Sequence, residues 1–144
     1  MPAAETPMGL ALIVCDTILE DRLTGKKTLV GLFDRVQTAK LPCVHPEMCV
    51  FVSLTGGRGE YPCEIVCRHV DGETIAFSAK GKVVMRDPYQ VVDLVFRLKG
   101  ARFPKEDKYW LHFLVEGIPI MMRQMLVQRQ APKDAPEAPK PGQE

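Results

Sequence analysis

A two-residue period in the apolar side chains narrows the fold of this chain more than any other feature. In QVVDLVFRLKG (residues 90–100), Val92, Leu94, Phe96 and Leu98 point one way while Asp93, Arg97 and Lys99 point the other, with Val91 and Val95 as apolar exceptions. Side chains of a strand alternate between faces, so this is the pattern of a strand with one face in a core. YPCEIVCRHV (61–70) repeats the device, setting Tyr61, Cys63, Ile65 and Cys67 against Glu64 and Arg68. Further strands are expected over 9–19, 28–37, 48–54, 73–79, 108–115 and 118–127, with a short one over 82–85. No stretch of about eleven residues keeps a 3.6-residue apolar period, which argues against helices.

The connections fit hairpins. Asp71-Gly72 stands between Val70 and Glu73, and Glu116-Gly117 between Val115 and Ile118. Such X-Gly pairs supply the positive φ of a two-residue turn. Thr24-Gly25, inside EDRLTGKK, is expected to reverse the chain between the first two strands. About eight short strands at near-regular spacing imply an all-β fold, an antiparallel β-sandwich of immunoglobulin-like or related type.

At 144 residues the chain has the size of one domain that can bury a core without metal or disulfide support. The sandwich is placed at 9–129, after a short extension at 1–8. The segment 130–144, QAPKDAPEAPKPGQE, is rich in Pro and Ala and is expected to be a disordered tail, because nothing in it offsets the entropy of ordering. A PxxP match runs from Pro136 to Pro139, but a solubilising tail is the simpler reading. Lys plus Arg number 19 and Asp plus Glu 18, so there is no basic field to hold a polyphosphate backbone, and no nucleic-acid partner is expected. The start, MPAAETPMG, has no basic residue before the apolar run from Met8 to Cys15, and that run falls far short of a spanning helix. A cytoplasmic protein without membrane contact is expected, its five cysteines being free thiols.

LTGGRGEYP (54–62) is the stretch most like a binding loop. It matches neither the P-loop nor the dinucleotide spacing, and a strand rather than a helix follows it. It is read as a flexible loop between adjacent strands, carrying Arg58 and Glu60 where a sandwich presents them to a partner. Cys63 and Cys67 share a strand face but stand ~13 Å apart at ~3.3 Å per residue, too far for a disulfide or a shared zinc. Cys43 and His45, in LPCVHPEMC, lack the paired CxxC of a zinc site, and a packed loop is expected there. No metal and no cofactor is expected.

One acidic pair offers more. If Thr24-Gly25 centres the first hairpin, facing residues have numbers summing to 49 or 50, which brings Asp16 and Asp34 close to opposite each other. At 50 the two carboxylates share a face and invite a cation, an arginine or a proton. At 49 they lie on opposite faces. The simpler reading pairs each locally, for instance with Arg35. In GIPIMMRQMLV, Met121, Met125 and Val127 take one face and Ile120, Met122 and Leu126 the other, so a second subunit or the chain's own loops cover the outer side.

Three stretches together, LIVCDTILEDRLTGKKTLVGLFDRV, HPEMCVFVSLTGGRGEYPCEI and LKGARFPKEDKYWLHFLVEGIPI, resemble a family of short bacterial proteins catalogued as a domain of unknown function, over residues 9 to 127. The resemblance implies a small β-sandwich and supplies no activity, cofactor or catalytic residue. FPKEDKYWLHFLVEGIPI is also similar to the last hairpin of immunoglobulin-like binding modules, with Lys108 where those carry Gly. The sequence establishes no activity. The reading adopted is a non-catalytic binding or assembly module with a protein partner or a second copy of itself. The alternatives are a small metal-dependent or hydrolytic enzyme using Asp16 and Asp34, and a purely structural oligomer subunit.

Overall fold

The computed structural model describes residues 5–130; the expected tail, apart from Gln130, and residues 1–4 of the extension lie outside the described residues. Nine strands and no helix are present among them. They are β1 (Met8–Glu20), β2 (Lys27–Leu32), β3 (Arg35–Thr38), β4 (Cys43–Thr55), β5 (Gly59–His69), β6 (Ile75–Met85), β7 (Val92–Phe103), β8 (Asp107–Val115) and β9 (Ile118–Arg129). A four-stranded sheet in the order β2-β1-β4-β7 packs against a five-stranded one in the order β3-β9-β8-β5-β6, the latter curled into a half-barrel. The expected all-β sandwich is the observed fold.

The arrangement is immunoglobulin-like. Strands β1, β4 and β7 stand where A, B and E stand in such domains, and β5, β8 and β9 where C, F and G stand. Near the start of β8 the buried Tyr109 donates its hydroxyl hydrogen to the Lys105 carbonyl at 2.7 Å, the tyrosine corner of this architecture. Tyr61, Ile65 and Cys67 from β5 meet Val50, Val52, Phe96 and Phe103 in the core between the sheets.

Three sequence expectations change. The strand over 28–37 is two strands, broken at Phe33-Asp34: β2 pairs antiparallel with β1, then the chain crosses and β3 pairs parallel with β9. The segments over 73–79 and 82–85 are one strand, β6, because Gly81 holds its place opposite Cys63 without interrupting the ladder. Finally β4 begins at Cys43, so most of LPCVHPEMC is strand rather than loop. Its Pro46 is tolerated because β1 pairs with β4 only from Cys49 onward, and the β7 register has no partner at position 46.

The turns explain the register. Glu116 and Gly117 both have positive φ between the paired Val115 and Ile118, the expected two-residue turn. The first hairpin differs. Asp21 Oδ1 accepts the Leu23 and Thr24 N–H groups at 2.8 and 2.9 Å, and the Asp21 N–H donates to the Lys26 carbonyl at 2.8 Å. The turn thus spans Asp21 to Lys26, and facing residues sum to 47: Glu20 faces Lys27 and Cys15 faces Leu32.

Candidate functional site

The loop carrying Arg58 does not join adjacent strands, since β4 and β5 belong to opposite sheets, and Glu60, expected on that loop, is already in β5 opposite Val84. It is fastened at both ends. Gly56 N–H donates to the Pro88 carbonyl at 3.0 Å, and Arg58 N–H donates to the Tyr61 hydroxyl at 2.8 Å. That hydroxyl, on a fully buried ring, donates in turn to the Glu5 carbonyl at 2.7 Å. Gly57 is buried, and a Cβ there would meet Met85 Sδ at 2.6 Å. An anion cradle needs several free amides, and here Gly56 and Arg58 have spent theirs. The Arg58 and Glu60 side chains are exposed, Glu60 lying 3.6 Å from Lys82 Nζ.

Asp16 and Asp34 are not opposite each other. With facing residues summing to 47, Asp16 lies over Gly31, whose φ is +73°, and a side chain at 31 would collide with the Asp16 carboxylate. Asp34 lies past the end of β2 in the crossover, 3.6 Å from Arg35 Nε, with its backbone carbonyl accepting the Leu126 N–H at 3.0 Å. The two-carboxylate centre therefore does not form, because the Asp21 turn displaces the register assumed from Thr24-Gly25. Among the described residues no three His, Cys, Asp or Glu side chains gather as metal ligands.

All five cysteines are free thiols, and all but the half-buried Cys43 are buried. Burial pushes the Cys67 thiol up to about 12 and raises Cys63 and Cys15, the latter also through its neighbour Cys49. These three are protonated near neutral pH and are poor nucleophiles. Cys43 packs against the core, and the His45 ring lies 5.3 Å from that of Phe33.

A polar clasp that sequence reasoning missed joins the turn after β5 to the β7–β8 connection. His69, nearly buried, has Nε2 at 2.9 Å from the Glu106 carbonyl, while its Nδ1 accepts the Asp71 N–H at 3.0 Å. Only the neutral ring protonated on Nε2 satisfies both. Lys105 Nζ, at 2.7 Å, holds the Asp71 carboxyl well below the usual carboxylate range, helped by the N–H groups of Thr74 and Glu73. Asp71 Oδ2 also lies 3.3 Å from Nδ1, so His69, Asp71 and Lys105 form one cluster that fastens the two loops together. The DG turn and a lysine 34 residues on were the only signals in the sequence.

The outer face of the four-stranded sheet carries a second apolar cluster, in which Leu29, Phe51 and Val95 pack against the buried Cys15, Ile18 and Cys49. Register places Ile13, Phe51 and Val95 in one row across β1, β4 and β7, all half-buried. The next row is Leu32, Cys15, Cys49 and Arg97. Arg97 lies over Cys49, Nη1 to Sγ 3.8 Å, and its Nη2 donates to the Ile18 carbonyl at 3.1 Å. On the other side Ser53 donates to Asp93 at 2.8 Å. The face is thus an apolar strip with a polar margin. Its sequence signal was the run CVFVSL in β4, which is apolar at both parities.

A family model described as a family of unknown function, DUF6941, matches residues 10–128. The chain belongs to DUF6941. The match runs from β1 through β9, so the DUF6941 unit is the whole sandwich. No curated protein matches the chain.

Proposed function

We propose that this DUF6941 domain is a non-catalytic binding module that presents the outer face of its four-stranded sheet to a protein partner, a second copy of the chain being the first to test. The observation that carries the reading is the row Ile13, Phe51 and Val95, apolar side chains side by side on a sheet face with Arg97 and Asp93 at its margins. Contiguous apolar surface with a polar rim is what protein interfaces offer, whereas scattered apolar residues carry no such meaning. Free thiols on a domain of this size support a reducing, cytoplasmic setting. The enzyme alternative loses its support once the register separates Asp16 from Asp34.

The test is a Val95→Lys variant, whose long stem reaches solvent from a half-buried position on the edge strand β7. Sedimentation across a concentration series reads self-association. Capture from the native cell, compared between the wild-type chain and the variant, reads any other partner. Loss of the dimer or of a specific captured protein in Val95→Lys, with thermal unfolding kept cooperative, supports the face. A variant that behaves as wild type in both assays removes it, and Arg58→Ala with Glu60→Ala then tests the loop.

A further inference from the structure

Where the chain leaves β2 for β3, a cavity of about 380 Å³ opens between the edge of β1 and the strand β9. Its walls are Ile13, Val14, Leu32 and Phe33, with one cation, Arg123, and one anion, Asp34. The strand switch creates it. Pairing of β1 with β2 stops at Cys15 and Leu32, so the carbonyls further back along β1 need other partners. Val14 takes the Phe33 N–H at 3.2 Å, and Leu12 takes Arg123 Nη1 at 2.9 Å. The guanidinium is thereby anchored by one nitrogen at the sheet seam.

The two charges share the cavity without meeting. Among the described residues, no carboxylate lies within 4.0 Å of Arg123, and the ion pair of Asp34 is with Arg35, at 3.6 Å between two exposed side chains. Such a pair holds its carboxylate weakly. Arg123 keeps Nε and Nη2, a side-on fork that fits a carboxylate with two parallel hydrogen bonds. A lone anion at that fork would share the cavity with Asp34, and a neutral apolar molecule would leave the fork unpaired. A molecule with both charges at one end and an apolar body satisfies every wall. The volume sits at the low end of the range for small-molecule sites, which suits a single small molecule rather than a large cofactor.

We propose that this cavity binds a small apolar zwitterion, an α-amino acid with an aliphatic or aromatic side chain, its carboxylate on Arg123, its ammonium group toward Asp34 and its side chain against Ile13, Val14, Leu32 and Phe33. The site goes beyond the protein-binding reading; it shares Ile13 and Leu32 with that face, and titrating Val95→Lys, which leaves every cavity wall in place, distinguishes failure of one from failure of the other.

Heteronuclear NMR titration of the full chain with L-leucine tests the proposal, with leucinamide and 4-methylpentanoate as probes lacking the carboxylate and the ammonium group. The expected result is saturable shifts at the Ile13, Leu32, Phe33 and Arg123 amides with L-leucine, and at least about tenfold weaker binding of each analogue. Asp34→Asn keeps the backbone bond from Leu126 and is expected to bind L-leucine no better than wild type binds 4-methylpentanoate. Leu32→Trp, at a position 65% exposed, fills the mouth without burdening the core and is expected to abolish the shifts. No saturable shift with millimolar L-leucine overturns the proposal, as do shifts that persist in Leu32→Trp. Equal binding of leucinamide overturns the role of Arg123, and equal binding of 4-methylpentanoate that of Asp34.

Discussion

Replacing Tyr61 by Phe isolates one hydroxyl that ties the N-terminal segment, the glycine loop and the core together. The ring remains, so no cavity forms, but the Arg58 N–H and the Glu5 carbonyl each lose a partner, at 2.8 and 2.7 Å. A buried polar group left unpaired costs about 1–3 kcal/mol. With both groups near the protein surface, where water satisfies part of the loss, about 2 kcal/mol is expected for the pair. Scaled by an unfolding entropy of ~2.1 cal/mol/K per residue for a domain this size, that is a fall in Tm of about 8 °C. Urea unfolding of Tyr61→Phe against wild type gives the equilibrium value. Limited trypsin digestion gives the local one, because the exposed Arg58 side chain marks a cleavage site inside the fastened loop. Nicking after Arg58 should rise by more than the global destabilisation explains, since the hydroxyl's loss opens the loop first. A stability change below about 0.5 kcal/mol, well under the cost of an unpaired buried group, together with unchanged nicking, would refute the account of the loop as fastened by Tyr61.

Gly31→Ala is expected to cost about 1–3 kcal/mol, because it places a Cβ at positive φ and against the Asp16 carboxylate. Asp16→Ala should recover part of that loss in a double-mutant cycle, and strict additivity would contradict the register. Asp71 is more acidic folded than unfolded, so its contribution is present above the unfolded carboxylate value near 4 and fades as pH falls toward the folded one. The stability gap between wild type and Asp71→Asn should therefore close in acid; a gap that widened in acid would reverse the assignment. A thiol-reactive dye at neutral pH should label Cys43 first in the native protein and all five cysteines in denaturant. Equally fast native labelling of Cys67, raised to about 12, would show that its burial is not maintained.

Alternation made β5 and β7 legible because each has one face in the core and one outside, and Glu116-Gly117 named its own turn. The switch from β2 to β3 was hidden because Phe33-Asp34, where the chain bends, carries neither Gly nor Pro, and Gly31 with its positive φ stands two residues earlier within β2. The first-hairpin register was misjudged because the side chain of Asp21, rather than Gly25, organises the turn. Of the candidate residues, Arg58 lies on the β4–β5 loop as expected, but Glu60 belongs to β5, opposite Val84, and the fastening by Tyr61 and Gly57 was missed. The facing pair of Cys15 and Cys49 and the bond from Arg123 to Leu12 join residues far apart in sequence, and no local pattern announces them.

The crossing strand also sets an order in time. Arg35 pairs with Leu126 and Thr38 with Arg129, so β3 has no sheet to join until the last strand has been synthesised. Contacts of such long sequence separation form late, because the whole intervening chain must be closed into a loop first. On a ribosome, β1 and β2 are able to form their hairpin early, and β1 can add β4 soon after, while β3 waits unpaired for β9. A nascent chain stalled before residue 126 should therefore leave β3 exposed to chaperones, and only completion of β9 releases it.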